Sequence, residues 1–344
     1  MNRRDHLKLA IALAAIALVG CGHQNGDKGA RALPPAAEPQ FASPPTITPS
    51  GRMVGVGTYP EGIAVDPVTR TAAIATRYPN EVVLINIDSA AITARVPLPG
   101  TARHLKLAAP GGPILVPVET ANALVRVELT RGPDGKALPP IPTGNSPHDA
   151  AAASNGTVFV TNEHDGTVSV LRGDQTVKVF KDSVQPAGVA AFGNTVGVVD
   201  ARNNTLTVYD AEKLTVVGST PAGAGPTHVV ADRQGRMIVS DTRGDTVRVF
   251  NPLPTPREIG SAAQPGGPYG MAYDPTRERL WVASSGTNDV IGYSLAEQTP
   301  QQVARIPSVQ NAYSLGVDSV TGRLFIAGVT GGVVQVIDPG ATGE

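Results

Sequence analysis

From residue 51 onward the chain is written in short runs in which apolar and polar residues alternate, the period of a strand with one buried face. No long stretch with the helical 3.6-residue spacing competes with them. The runs recur in a fixed order. A short opening phrase leads into an alternating strand, a turn and a continuous apolar strand, then a polar turn and a third strand of alternating character. The opening phrases are Pro60-Glu61-Gly62-Ile63, Ala102-Arg103-His104-Leu105, Pro147-His148-Asp149-Ala150, Pro186-Ala187-Gly188-Val189, Pro226-Thr227-His228-Val229, Pro268-Tyr269-Gly270-Met271 and Ala312-Tyr313-Ser314-Leu315. The second strands align as AAIAT, ILVPV, VFVTN, VGVVD, MIVSD, LWVAS and LFIAG.

Successive phrases are 42, 45, 39, 40, 42 and 44 residues apart. A four-stranded unit of that length has the size of one propeller blade, and seven of them predict an all-β protein, a seven-bladed β-propeller over residues 51–340. One blade cannot bury both its faces, so the ring must close. The seventh repeat stops at Ile337-Asp338 without a fourth strand, while residues 52–57, RMVGVG, belong to no blade. They predict an N-terminal strand that closes the last blade. Blade 2 fits worst: Pro117 interrupts its second strand, and Thr130 to Thr143 reads as an irregular, Pro-rich connection.

Ahead of the repeats, residues 1–20 carry a basic start and an apolar run from Leu9 to Val19, short for a membrane span and typical of an export signal. Leu18-Val19-Gly20-Cys21 resembles the lipobox of bacterial lipoproteins. The resemblance implies that Cys21 is lipidated and becomes the mature N-terminus, leaving the protein exported, anchored to the cell membrane and facing outward. Arg3-Arg4-Asp5-His6-Leu7-Lys8 is also similar to a twin-arginine signal, with His6 where that signal has a large apolar residue. Cys21 is the chain's one cysteine, so no intramolecular disulfide forms. Residues 21–50 follow with six prolines and little apolar pattern, and predict an extended, semi-rigid tether.

Within the repeats, Phe159-Val160-Thr161-Asn162 and the following Thr167-Val168-Ser169-Val170 strand resemble the YVTN repeat of bacterial surface and periplasmic propellers. Thr205 to Val217, TLTVYDAEKLTVV, with Gly225-Pro226, resembles the rest of that repeat. The likeness extends over residues 52–338. It implies the architecture and leaves the activity open, because this fold hosts unrelated functions.

Composition narrows the partners. The chain has 28 basic and 29 acidic side chains, and loss of residues 1–20 leaves 25 against 28. No basic field remains for nucleic acid. A closed ring predicts a monomer. The sequence holds no nucleophile elbow, phosphate loop, His-Glu-x-x-His or haem-attachment motif, so no cofactor is expected from motifs. Arg243-Gly244-Asp245, an adhesion tripeptide elsewhere, falls in the slot between second and third strands that Glu163-His164-Asp165-Gly166 fills in blade 3, and reads as a hairpin turn. Asp66-Pro67 and Asp274-Pro275 likewise read as turns between first and second strands.

In a propeller the first strand of each blade is innermost, so the opening phrases converge on one mouth of the central channel. Similarity to known propellers places the turn between second and third strands on the same face. This gathers Glu61, Arg103, His104, His148, Asp149, Thr227, His228, Tyr269, Tyr313 and Ser314, ringed by Arg77, Glu119, Asn162, His164, Asp200, Asp241 and Arg243. The leading expectation is a binding module that takes a cell-envelope partner or small ligand through Glu61, Arg103, His104, His148, Asp149, His228, Tyr269 and Tyr313. The alternative is a lactonase- or lyase-like enzyme using His148, His228 and Glu61, with or without a divalent metal. Because His104 and His228 belong to blades 2 and 5, they are expected to stand far apart across the ring, which counts against a compact metal site.

Overall fold

The computed structural model describes residues 33–130, 135–338 and 340. The expected signal sequence and Cys21 lie outside the described residues. Among those described, no helix is long and apolar enough to cross a membrane.

Seven antiparallel sheets form, one per repeat, and the first strands of successive blades touch. Those first strands are Ile63–Asp66, Lys106–Leu107, Pro147–Ala152, Pro186–Phe192, Pro226–Ala231, Pro268–Asp274 and Ala312–Val317. The apolar second strands lie between two neighbouring blades, which is why they are apolar on both faces. Seven hydrophobic clusters result among the described residues, each bridging one pair of adjacent blades. Blades 7 and 1 meet through Phe325 and Val334 against Ile74 and Ile85, all without exposure. Each such side chain contributes about 1.5–3 kcal/mol by leaving water.

The ring closes as its pattern predicts. Arg52–Gly55 pairs antiparallel with Val333–Ile337, Arg52 opposite Val336 and Gly55 opposite Val333. Val54 and Val56, exposed by 9% and 0%, enter the cluster between blades 7 and 1.

Blade 2 departs from the expectation. Pro117 does not interrupt the second strand, which runs Ile114–Val118 with Pro117 opposite Leu124. Proline is tolerated there because the first strand of this blade is only Lys106–Leu107 and pairs with Leu115 and Ile114, so no ladder partner awaits a Pro117 N–H. The connection expected to be irregular contains two short strands, Gly135–Ala137 and Ile141–Pro142, both paired to Ala123–Leu129.

The turns carry the chemistry expected of them. Asp66, Asp274 and Asp318 accept from backbone N–H groups two and three residues ahead. In the Arg243-Gly244-Asp245 turn, Gly244 N donates to Asp241 Oδ1, and Asp245 Oδ1 accepts from Gly266 and Gly267 N. Arg243 donates to Ala224 O and Pro35 O. All three residues are engaged in bonds within the chain.

The last bond leads to a larger correction. Residues 34–50 are not a free tether; they form a strap across blades 4 to 7. Arg202 donates to Pro34 O, Gln40 N to Ser285 Oγ, Tyr313 OH to Gln40 O, Ala42 N to Asn311 Oδ1 and Asn288 Nδ2 to Ser43 O. Ala37 and Ala42 are 8% and 1% exposed. A proline-rich segment has few backbone donors of its own to satisfy. Side chains from the turns can therefore hold it through its carbonyls.

Candidate functional site

Two repeated backbone features aim side chains at the channel. In blades 3 to 7 the register between first and second strands shifts just after the opening residue, between Pro147 and Asp149, Pro186 and Val189, Pro226 and His228, Pro268 and Met271, and Ala312 and Ser314. A bulge of this kind re-aims the residue it carries; the bulged residues include His148, Thr227, Tyr269 and Tyr313. The second feature is a hydrogen bond made in every blade. The residue after the second strand (Arg77, Glu119, Glu163, Ala201, Thr242, Ser285 or Val329) donates its N–H to the segment entering the first strand, at Thr58, Thr101, Ser146, Gln185, Gly225, Gly267 or Asn311. It pins that residue beside the opening phrase.

The seven pinned positions are charged in blades 1 to 3 and neutral in blades 4 to 7. The strap bonds to blades 4 to 7. The mouth is therefore divided into a sector crossed by the strap, where the pinned residues are neutral, and a sector with charged pinned residues that the strap's bonds do not reach.

In the charged sector, Arg77 Nη2 donates to Glu61 Oε2 at 2.7 Å. Arg103 Nε stands 3.7 Å from Glu61 Oε1 and 3.2 Å from Glu119 Oε1. His148 Nδ1 lies 3.2 Å from Glu163 Oε2, which requires that nitrogen to be the donor, and 3.9 Å from Glu119 Oε1. Gln185 Nε2 donates to Glu163 Oε1 at 2.7 Å. The donor atoms of Glu119, His148 and Glu163 all lie within 4.8 Å of one another.

The histidines meet on the axis, against the expectation that blades 2 and 5 hold theirs apart. Ring centroids of His104 and His148 are 4.6 Å apart, those of His104 and His228 4.8 Å, and those of His228 and Tyr269 4.3 Å. The reason is how tightly the first strands crowd at this level. A Cβ on Gly62 would come within 2.7 Å of Arg103 O, one on Gly188 within 2.9 Å of His228 Cα, and one on Gly270 within 2.4 Å of Tyr313 O. With backbones that close, imidazoles from distant blades reach each other.

Burial first, and then the charge of His148, holds the His104 and His228 imidazoles well below their ordinary pKa, so both are neutral at neutral pH. Burial raises the Glu61 carboxyl, opposed by Arg103 and Arg77. Glu163 goes the other way: burial works to raise it, but the His148 bond and charge and the Gln185 bond outweigh that and bring it to about 2.

Not every expected residue joins the cluster. Asp149 is spent on structure: it accepts from Lys106 of blade 2, from Val189 N of blade 4 and from Ala150 N. Asn162, Asp200 and Asp241 bond the turns of their own blades. Tyr313 and Arg243 hold the strap. His164 is exposed on its turn, whereas its neighbour Glu163 faces the site. Glu163 and Gln185 are the members that sequence reasoning missed. The signal for Glu163 was its slot directly after the second strand, shared with Arg77 and Glu119.

His104 and His228 also line a cavity of about 230 Å³ between the first strands, with Ile63, Leu105, Met271 and Leu315 as apolar walls and Lys106 and Asp149 as polar ones. Among the described residues, five buried polar atoms of this region have no hydrogen-bond partner: Arg77 Nε, Arg103 Nε, His104 Nε2, Glu119 Oε1 and His228 Nε2.

Comparison with solved structures agrees with the architecture. The WD40 repeats of RRP9 superpose with a TM-score of 0.73 at 14% identity, covering 87% of this chain and 99% of that one. Hydrazine synthase of Kuenenia stuttgartiensis gives 0.71 at 16% identity, with 84% and 98% covered. Virginiamycin B lyase from Staphylococcus aureus gives 0.66 at 15% identity, with 83% and 98% covered. No family model matches the sequence, and no curated protein matches it. The protein is a seven-bladed β-propeller, and at these identities the likeness extends to the fold alone.

Proposed function

We propose that this protein is an outward-facing, lipid-anchored propeller, held at the membrane through Cys21, that binds a small polar ligand at the charged sector of its mouth. The observation that carries the reading is a set of five buried polar atoms that make no hydrogen bond, two of which, Arg103 Nε and Glu119 Oε1, meet only as an ion pair, within one cluster of three histidines, three glutamates and two arginines. Leaving such an atom unsatisfied costs about 1–3 kcal/mol. A ligand that supplies partners recovers that cost, and the mixture of guanidinium donors, a carboxylate acceptor and neutral imidazoles suits a molecule with both donors and acceptors. A screen of polar metabolites by ligand-observed NMR tests it. Binding to the wild type that Arg103→Leu weakens is expected; hits indifferent to Arg103→Leu, or no hits, overturn the reading.

One observation favours a catalytic version. His148 is oriented by Glu163, which Gln185 holds in turn, and burial raises the pKa of Glu61, an arrangement able to move a proton. A relative in fold is a virginiamycin B lyase. Consumption of virginiamycin B by the wild type and loss of it in His148→Ala support this version; no consumption removes that substrate.

A further inference from the structure

We infer that the charged sector contains a site for a first-row divalent transition-metal ion, held by His148 Nδ1, Glu119 Oε1 and Glu163 Oε2. The inference deepens the binding reading and rests on the mouth being a binding site, though not on which organic molecule enters it.

Ligand distances of about 2.0–2.2 Å put neighbouring donor atoms about 3.0–3.5 Å apart in tetrahedral or octahedral coordination. His148 Nδ1 and Glu163 Oε2 are already at 3.2 Å, and His148 Nδ1 and Glu119 Oε1 at 3.9 Å. Since one ligand atom from each of the three residues lies within 4.8 Å of the other two, closing the set takes side-chain movements of roughly 1–1.5 Å. The three come from the 3₁₀ turn Glu119–Ala121, the bulge at the start of Pro147–Ala152 and the residue after Val158–Asn162, and backbone bonds pin Glu119 and Glu163 at the mouth.

Independent features favour a cation here. Glu119 Oε1 is buried and has no hydrogen-bond partner, although Arg103 Nε is 3.2 Å away in a poor orientation. His104, 7% exposed, packs its ring on that of His148 and leaves Nε2 unpartnered. Three carboxylates, Glu61, Glu119 and Glu163, face two guanidiniums, Arg77 and Arg103, and one imidazole, His148, whose proton lies against Glu163 and near Glu119. A dication between Glu119 and Glu163 replaces that proton and pairs with both carboxylates at once. An imidazole beside two carboxylates favours Zn²⁺, Fe²⁺, Co²⁺ or Mn²⁺ over Ca²⁺ or Mg²⁺. Gln185 then acts as a positioning residue through its bond to Glu163.

The test is a titration of the full chain, stripped by chelator and dialysed, with Co²⁺ alone, followed by its visible absorption and by calorimetry. One saturable equivalent with a ligand-field band is expected. Glu163→Gln and Glu119→Gln, which keep side-chain shape, should each weaken binding at least 10-fold, and Gln185→Ala about 10-fold. Far-UV circular dichroism and melting confirm that each variant is folded. Absence of saturable binding, or binding unchanged in Glu119→Gln/Glu163→Gln, overturns the site. A polar ligand that still binds through Arg103 in metal-free protein leaves the broader reading standing while this one fails.

Discussion

Replacing Glu163 by glutamine isolates one titration at the centre of the mouth. The carboxylate accepts from His148 at 3.2 Å and from Gln185 at 2.7 Å, and its pKa falls from an ordinary 4.5 to about 2 even though burial pushes upward. A carboxyl depressed in the folded state stabilises the fold above its unfolded pKa, and this stability is lost as pH falls through the folded pKa. The side chain is only 10% exposed, so the full contribution is about 3 kcal/mol, with about 2 kcal/mol gone by pH 3. Glu163→Gln removes the titration while keeping the shape. Urea unfolding of wild type and variant at several pH values between about 5.5 and 3 is the assay. Acidic groups outside the cluster titrate equally in both proteins, so the stability advantage of the wild type should shrink by about 2 kcal/mol across that window. Parallel curves would refute the assignment of Glu163 as a buried, ionised partner of His148.

Three further outcomes follow from the packing and the N-terminus. Gly270→Ala drives a methyl to within 2.4 Å of Tyr313 O and should lower stability by about 1–3 kcal/mol in thermal melts, whereas Gly55→Ala, with nothing within 4 Å, should change it by less than about 0.5 kcal/mol. Val56→Asp buries an unpaired charge beside the closing strand, at a position 0% exposed, and should leave little folded protein by circular dichroism, while Met53→Asp, at 40% exposure, should melt near the wild type. Cys21→Ser should move the protein from the membrane fraction to the soluble extract on immunoblots of fractionated cells.

The ring was legible because a propeller is periodic. Each second strand is buried between two blades, so AAIAT and LFIAG read as continuous apolar runs, and the surplus RMVGVG announced its partner Val333–Ile337. The mouth was legible only as a list of residues. Repeat position placed Glu61, Arg103, His148 and Tyr269 there, but distance across the channel depends on how closely the first strands approach. That approach shows in the need for glycine at 62, 188 and 270, which a single sequence does not declare. Glu163 was obscured by an adjacent histidine, His164, whose chemistry drew attention while its side chain faces solvent. The strap was missed for a related reason: its hold on blades 4 to 7 runs through backbone carbonyls and N–H groups that no sequence pattern records, and its six prolines read as a spacer.

Meeting of the histidines on the axis is the claim from which the binding and metal proposals both grow, and proximity of their rings measures it directly. In protein carrying isotope-labelled histidine, with only six such residues in the chain, nuclear Overhauser contacts can be assigned by single replacement of each. Cross-peaks between the ring protons of His104 and those of both His148 and His228 are predicted, from centroid separations of 4.6 and 4.8 Å. A spectrum in which His228 shows no contact with His104, in folded protein, would contradict the account.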